Sequence, residues 1–231
     1  KPDKVKTLSN KREKNKKTVW DHIARAEIYE SEGNYDAALI SYKVALRFQP
    51  DMLEAHAGKG RIELINKKYN KAIVSFSKAL VKDPNNLYLL LDLGKAYEGI
   101  DQYASAMDIY KELIKNYSSI PNPYFLLARI KSKENKHHET IDILKEGLEN
   151  CPKSPELYYL LGQEYKLIGQ FDKSISAYKN AIKNGNKKHI EAYLKIADIY
   201  KHNLKNEGET KKYIKKYLKK GGDEDKVKLG H

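Results

Sequence analysis

His137 and His138 stand side by side, Cys151 precedes Pro152, and 31 acidic side chains are scattered along the chain; these are the residues from which an active site would have to be built. A metal site needs imidazoles or thiolates spaced so that they converge, as in H-x3-H, and no such spacing or Cys-His cluster accompanies the histidine pair. The pair reads as solvated turn residues. Cys151 has no sequence neighbour suited to activating a thiolate, so it reads as a structural cysteine. No phosphate-binding loop, G-x-G-x-x-G or G-x-S-x-G occurs, and no two carboxylates stand apart as an acid-base pair. We expect no enzyme, no cofactor and no bound metal.

The chemistry that remains is non-covalent, and charge comes first. The 231 residues carry 44 Lys+Arg against 31 Asp+Glu, a formal charge of +13. Residues 1–18 hold 8 basic and 2 acidic side chains, and residues 201–220 hold the same numbers, a net of +6 each. Residues 19–200 carry 26 against 24, so the body of the chain is nearly neutral. A surface that tracks nucleic acid needs a basic stripe along the fold, and only the two ends offer one. Nucleic acid is therefore not the expected partner, an anionic membrane is met only through those ends, and residues 1–18 are expected as a flexible basic tail. With 40% hydrophobic residues a chain of this length can bury roughly 70% of its unfolded surface, yet no stretch has the run of about 18 apolar residues that spans a bilayer. The chain begins at Lys1 and its first twenty residues lack a signal peptide's apolar block, so we expect a fragment or processed form of a soluble protein, cytoplasmic or bacterial periplasmic.

The elements that would position any surface are set by a period. Ala38, Ala72, Ala106, Thr140 and Ser174 are each 34 apart. Tyr42, Phe76, Tyr110, Leu144 and Tyr178 follow four positions later, Gly60, Gly94 and Gly162 share a column with Ala26 and Ala128, and Pro50, Pro84 and Pro152 share another that Ser118 interrupts. Leu90, Leu93, Gly94 and Tyr97 fall on one helical face, and Ala106, Tyr110 and Leu113 on a second after a turn, which makes each period a helical hairpin. Small residues let the two helices approach, aromatics fill the space between them, and hairpins stack because each leaves apolar surface uncovered.

These columns resemble the tetratricopeptide repeat, with its pattern W-x2-L-G-x2-Y, A-x3-F, P. The resemblance implies an all-α, right-handed superhelical solenoid of about six antiparallel helix-turn-helix repeats, over 19–52, 53–86, 87–120, 121–154, 155–189 and 190–223, followed by a tail over 224–231. Repeat four departs with Lys131 for the Tyr and Gly147 for a later Ala, and repeat six needs one inserted residue in the turn from Lys205 to Gly208. The family's geometry places positions 2, 5, 9, 12 and 13 of each first helix on a concave groove. Position 5 then reads Ile23, Ala57, Leu91, Phe125, Tyr159, Leu194, and position 9 reads Glu27, Arg61, Lys95, Arg129, Gln163, Asp198. An apolar row beside three consecutive basic residues suits an acidic or amphipathic segment of a partner protein. The expected groove residues are Arg61, Tyr88, Leu91, Lys95, Phe125, Arg129, Tyr159, Gln163 and Lys166. Leu91, Phe125 and Tyr159 serve as anchors, and Arg61, Lys95 and Arg129 select acidic partners. The carboxylate clamp of chaperone-binding members is not expected, since Ile23, Glu27, Gly58, Tyr88 and Asp92 occupy its positions. The function implied is a non-catalytic interaction scaffold or adaptor within a multiprotein assembly. The alternatives are electrostatic docking through the basic ends, with Lys211 to Lys220 as an amphipathic membrane helix, and the arm of a larger machine such as a transferase or a bacterial secretion, pilus or flagellar assembly.

Overall fold

The computed structural model describes the backbone of residues 2–186 and 189–228, and every element among them is helical. In chain order these are α1 (Pro2–Ser31), α2 (Tyr35–Phe48), α3 (Leu53–Ile65), α4 (Tyr69–Leu80), α5 (Leu87–Glu98), α6 (Tyr103–Asn116), α7 (Pro121–Lys133), α8 (His137–Asn150), α9 (Pro155–Leu167), α10 (Phe171–Asn184), α11 (Glu191–Asp198) with a π-turn over Ile199–Asn203, α12 (Glu207–Lys219) and α13 (Glu224–Lys228). Helices pair as hairpins, α1 with α2, α3 with α4, α7 with α8, α9 with α10 and α11 with α12. The backbone of residues 2–18 is helical and continuous with the first helix as part of α1. Part of the 224–231 tail is α13, while residues 229–231 lie outside the described residues. The chain divides into two compact units, Lys1–Ile109 and Tyr110–His231.

Within each unit the periodic columns do the packing. In the first, Ala38, Ala45, Ala72 and Ala79 are fully buried, and Tyr42 and Phe76 fill the space they leave. A Cβ on Gly60 would come 2.7 Å from the Phe76 ring, and in the second unit a Cβ on Gly162 would come 2.8 Å from the Tyr178 ring. The glycine column and the aromatic column are two sides of one contact. Ser174 replaces alanine without cost because its buried hydroxyl donates to the Gly162 carbonyl at 2.6 Å. Gly147, a departure from the pattern, is accounted for in the same way: a Cβ there would meet the Tyr124 ring at 2.9 Å, so a large residue at one column is matched by the smallest at another.

Helix ends follow local chemistry. The side chains of Asn34, Asn86, Ser154 and Asn206 each accept a hydrogen bond from a backbone N–H of the first turn that follows. Pro121 and Pro155 open α7 and α9, where a missing N–H costs nothing. The turn inside each hairpin has a left-handed residue, and these too are 34 apart: Gly33, Lys67, Asp101, Asn135 and Gly169. The sixth, Lys205, comes 36 after the fifth. One of the two extra residues precedes Lys205 within its own repeat, where the π-turn absorbs it with a hydrogen bond from Leu204 N–H to the Ile199 carbonyl at 3.0 Å. The insertion expected in the turn from Lys205 to Gly208 thus lies upstream of it.

Lys67 has φ 56°, a conformation that costs a side-chain-bearing residue about 1–2 kcal/mol, against about 0.5–1 kcal/mol lost when glycine loosens the unfolded chain. Lys67→Gly is therefore expected to stabilise the protein by about 0.5 kcal/mol. A lower urea midpoint for the variant would contradict this account of the turn.

Candidate functional site

The expected groove residues lie on the first helices of the hairpins, and the two units present them differently. In the first unit Arg61, on α3, is held by Glu30 at the end of α1, with Nε to Oε1 at 3.1 Å and Nη2 to Oε2 at 3.3 Å. The same carboxylate accepts from the Tyr42 hydroxyl at 2.9 Å. Burial opposes the Arg61 charge, but the hydrogen bond and charge of Glu30 outweigh it and hold the guanidinium above its ordinary pKa. Burial, reinforced by Glu30, pushes the Tyr42 phenol far upward. Lys95, on α5, donates to Asp92 at 2.8 Å. Both cations are thus committed to carboxylates of their own chain, and selection of acidic partners by Arg61 and Lys95 is corrected accordingly. Leu91 is only 5% exposed, so it is a core residue and cannot anchor a partner. Ile23, Ala57 and Leu194, of the same column, are buried as well. Tyr88 is 75% exposed on the first turn of α5.

In the second unit the first helices α7, α9 and α11 bring several expected residues onto accessible surface. Phe125 is half-buried, with the Arg129 guanidinium 5.9 Å from its ring centroid, a cation–π arrangement. Phe125 also lines a hollow of about 360 Å³ together with Pro121, Asn122, Ser154 and Glu156. Tyr159 packs edge-on against Tyr178, ring centroids 5.4 Å apart, and burial raises its phenol pKa. Gln163 and Lys166 line a larger hollow of about 450 Å³, bounded by Ser132 of α7, Leu160 and Leu167 of α9, Tyr178 of α10 and Lys195 of α11. Lys166 is ion-paired with Asp198. The Lys195 side chain makes no hydrogen bond or ion pair with any described residue.

Two residues at this surface were not expected from the sequence. Glu164 is 1% exposed and accepts from the Ser132 hydroxyl at 2.6 Å and from His137 Nδ1–H at 2.8 Å. It ties α9 to α7 and α8, and it makes His137 a packing residue at the start of α8 instead of a solvated turn residue. The serine and the histidine both bond to the carboxylate and not to each other, so the three groups do not form the relay that activates a hydroxyl. The signal was present in the sequence, because Glu164 falls at the i+7, i+4 and i+3 positions of Leu157, Leu160 and Leu161, a charge on an apolar helical stripe. Lys195 was missed because position 6 had been given no role in the groove.

The remaining reactive groups are accounted for by packing. Cys151 is buried, its thiol points at the Ser118 carbonyl 3.6 Å away, and burial raises its pKa. The apolar face of α12 is covered within the unit, with Tyr213 4% and Tyr217 1% exposed, which leaves little for a bilayer to meet. Among the described residues no helix is long and apolar enough to cross a membrane.

Paired helices of 34-residue period, with glycine-to-aromatic contacts inside the α3–α4, α7–α8 and α9–α10 pairs, define a repeat scaffold of the protein-interaction class. Tetratricopeptide-repeat family models match residues 23–86, 63–130 and 155–184, and the chain belongs to that family. Superkiller protein 3 of Schizosaccharomyces pombe is 23% identical over 133 residues, 54% of this chain, and the chain spans only 10% of that protein's length. Among solved structures, the pilF protein of Pseudomonas aeruginosa superposes with a TM-score of 0.68 at 16% identity, covering 86% of this chain and 90% of that one. YrrB superposes with a TM-score of 0.58 at 21% identity, covering 76% and 91%. At these identities the likeness is one of fold.

Proposed function

We propose that the chain is a non-catalytic adaptor that holds an amphipathic segment of a partner protein against the first-helix faces of its repeats, as one component of a multiprotein assembly. The observation that carries this reading is the hollow bounded by α7, α9 and α11, in which Leu167 offers apolar surface beside Gln163 and Lys195, over the buried Leu160. Leu167 is 63% exposed there, an apolar side chain that a partner would cover. A segment with one apolar side chain on Leu167 and one carboxylate facing Lys195 and the Gln163 amide satisfies both surfaces. Phe125 with Arg129 continues the same mixture on α7. YrrB was solved as a tetratricopeptide-repeat protein with an unusual peptide-binding site, which agrees with a use of this kind for the fold. The chaperone clamp is not part of the proposal, because Ile23 and Gly58 stand at clamp positions without any charge to offer and both are buried.

The test is capture of partners from a lysate of the source organism by the wild type and by Phe125→Glu, Arg129→Glu, with helicity compared by circular dichroism. Partners bound by the wild type are expected to be lost by about tenfold or more from the variant. Equal recovery by both proteins overturns the assignment of this face.

A further inference from the structure

The first unit carries a second surface, away from the groove positions. A hollow of about 440 Å³ is formed by α2, α3, the turn after α3 and the start of α4. Lys59 and Glu63 reach it from α3, and each is two residues, or about 200°, from Arg61, so the hollow lies on the opposite side of that helix from the groove row. Four lysines line it: Lys43, Lys59, Lys68 and Lys71. The one carboxylate among the lining residues, Glu63, is 3% exposed and already bonded to Lys59 at 2.8 Å and to the Ser75 hydroxyl at 2.6 Å. The side chains of Lys43, Lys68 and Lys71 make no hydrogen bond or ion pair with any described residue.

Apolar surface accompanies this charge. Val74 lines the hollow and is 54% exposed, half-buried Leu39 forms part of its wall, and Ile40 beside Leu39 is 63% exposed. Ile40 and Val74 are 34 apart, the same place in consecutive second helices. Three converging cations without counter-charges repel one another and raise the local potential, which an anionic partner relieves. Two macromolecular anions are conceivable, and the lining distinguishes them. Single-stranded nucleic acid is held by cations interleaved with aromatic stacking platforms, and no aromatic ring lines this hollow. An acidic segment of a protein that also carries apolar side chains matches both the lysines and the Leu39–Ile40–Val74 surface.

We infer that this hollow is a second docking site, for an acidic amphipathic segment of a partner protein, separate from the groove of the second unit. The partner's carboxylates face Lys43, Lys68 and Lys71, and an apolar side chain covers Val74. The two sites let one adaptor hold two segments at once.

The experiment is fluorescence anisotropy on the full chain with three labelled probes. These are a peptide of about fifteen residues with Glu and Leu at helical spacing, the same peptide with Gln for every Glu, and an oligothymidylate of about fifteen nucleotides. The acidic peptide is expected to bind the wild type and a control of equal charge change on exposed α6 residues, Lys111→Glu, Lys115→Glu, alike, and to bind Lys43→Glu, Lys71→Glu about tenfold or more weakly. Its affinity is expected to fall with added salt and to be largely lost in the glutamine peptide. Both lysines are solvent-exposed, so the fold tolerates the change, and Lys43→Gln, Lys71→Gln, with half the charge reversal, should show an intermediate loss. The inference is overturned if the acidic peptide does not bind, or binds the lysine variants as it binds the wild type. It is equally overturned if the oligonucleotide binds more tightly than the peptide and responds to the same lysines. Loss in the Phe125 and Arg129 variant alone would also overturn it, by moving acidic recognition to the second unit, and would leave the proposed function standing.

Discussion

Gly58→Ala is expected to destabilise the protein by about 3 kcal/mol, read as a lower urea midpoint by far-ultraviolet circular dichroism. Helix propensity alone argues the reverse, since alanine inside a helix is favoured over glycine by about 1 kcal/mol. Packing decides the sign. A Cβ on Gly58 would stand 2.1 Å from Cζ of Tyr42 and 2.4 Å from its hydroxyl oxygen. Tyr42 cannot yield easily, being 1% exposed and tied through its hydroxyl to Glu30, which also holds Arg61. The substitution would therefore disturb a core aromatic ring and an ion pair together. The steric account has its own control: in a Tyr42→Leu background, which removes the clashing atoms, Gly58→Ala should become neutral or stabilising by up to about 1 kcal/mol. A stabilising effect in the wild type would show that the two helices are not this close.

Tyr178→Ala is expected to cost about 3–5 kcal/mol, the range for deleting a buried aromatic side chain. Tyr178 is 1% exposed, fills the space beside Gly162 and supports Tyr159 edge-on. Tyr178→Phe is the matched control. The Tyr178 hydroxyl makes no hydrogen bond with a described residue, so its removal should change stability by less than about 1 kcal/mol. Because Tyr178 also forms part of the wall of the hollow on α9, Tyr178→Ala should weaken partner capture while Tyr178→Phe preserves it. If Tyr178→Ala left the urea midpoint unchanged, the aromatic column would not be the support of the second unit that its burial indicates.

The fold was legible in the sequence to the level of individual contacts. The 34-residue spacing of Ala72 and Phe76 against Gly60, and of Ser174 and Tyr178 against Gly162, named the residues that meet between helices. Even the irregular sixth repeat was visible, although its extra residue was placed a few positions late. The column of left-handed turn residues was not legible, because Gly33, Lys67, Asp101, Asn135 and Gly169 share a backbone conformation and not a side-chain type. The candidate site was legible in part. Phe125, Arg129, Gln163 and Lys166 are half-buried on first helices, whereas Leu91 is buried and Arg61 and Lys95 are ion-paired within the chain.

The physical reason is a difference in what sets each property. Helix formation and the close approach of helices depend on residue size and apolarity at fixed spacing, and a periodic chain displays both in one dimension; that much the sequence alone determined. Whether a charge is free for a partner depends on what lies within about 4 Å of it in space. Glu30 reaches Arg61 across 31 positions, and Glu164 reaches His137 across 27. Only the tertiary structure could decide that the basic row of the groove is largely answered from within, while three lysines between α2 and α4 are left facing solvent without a counter-charge among the described residues.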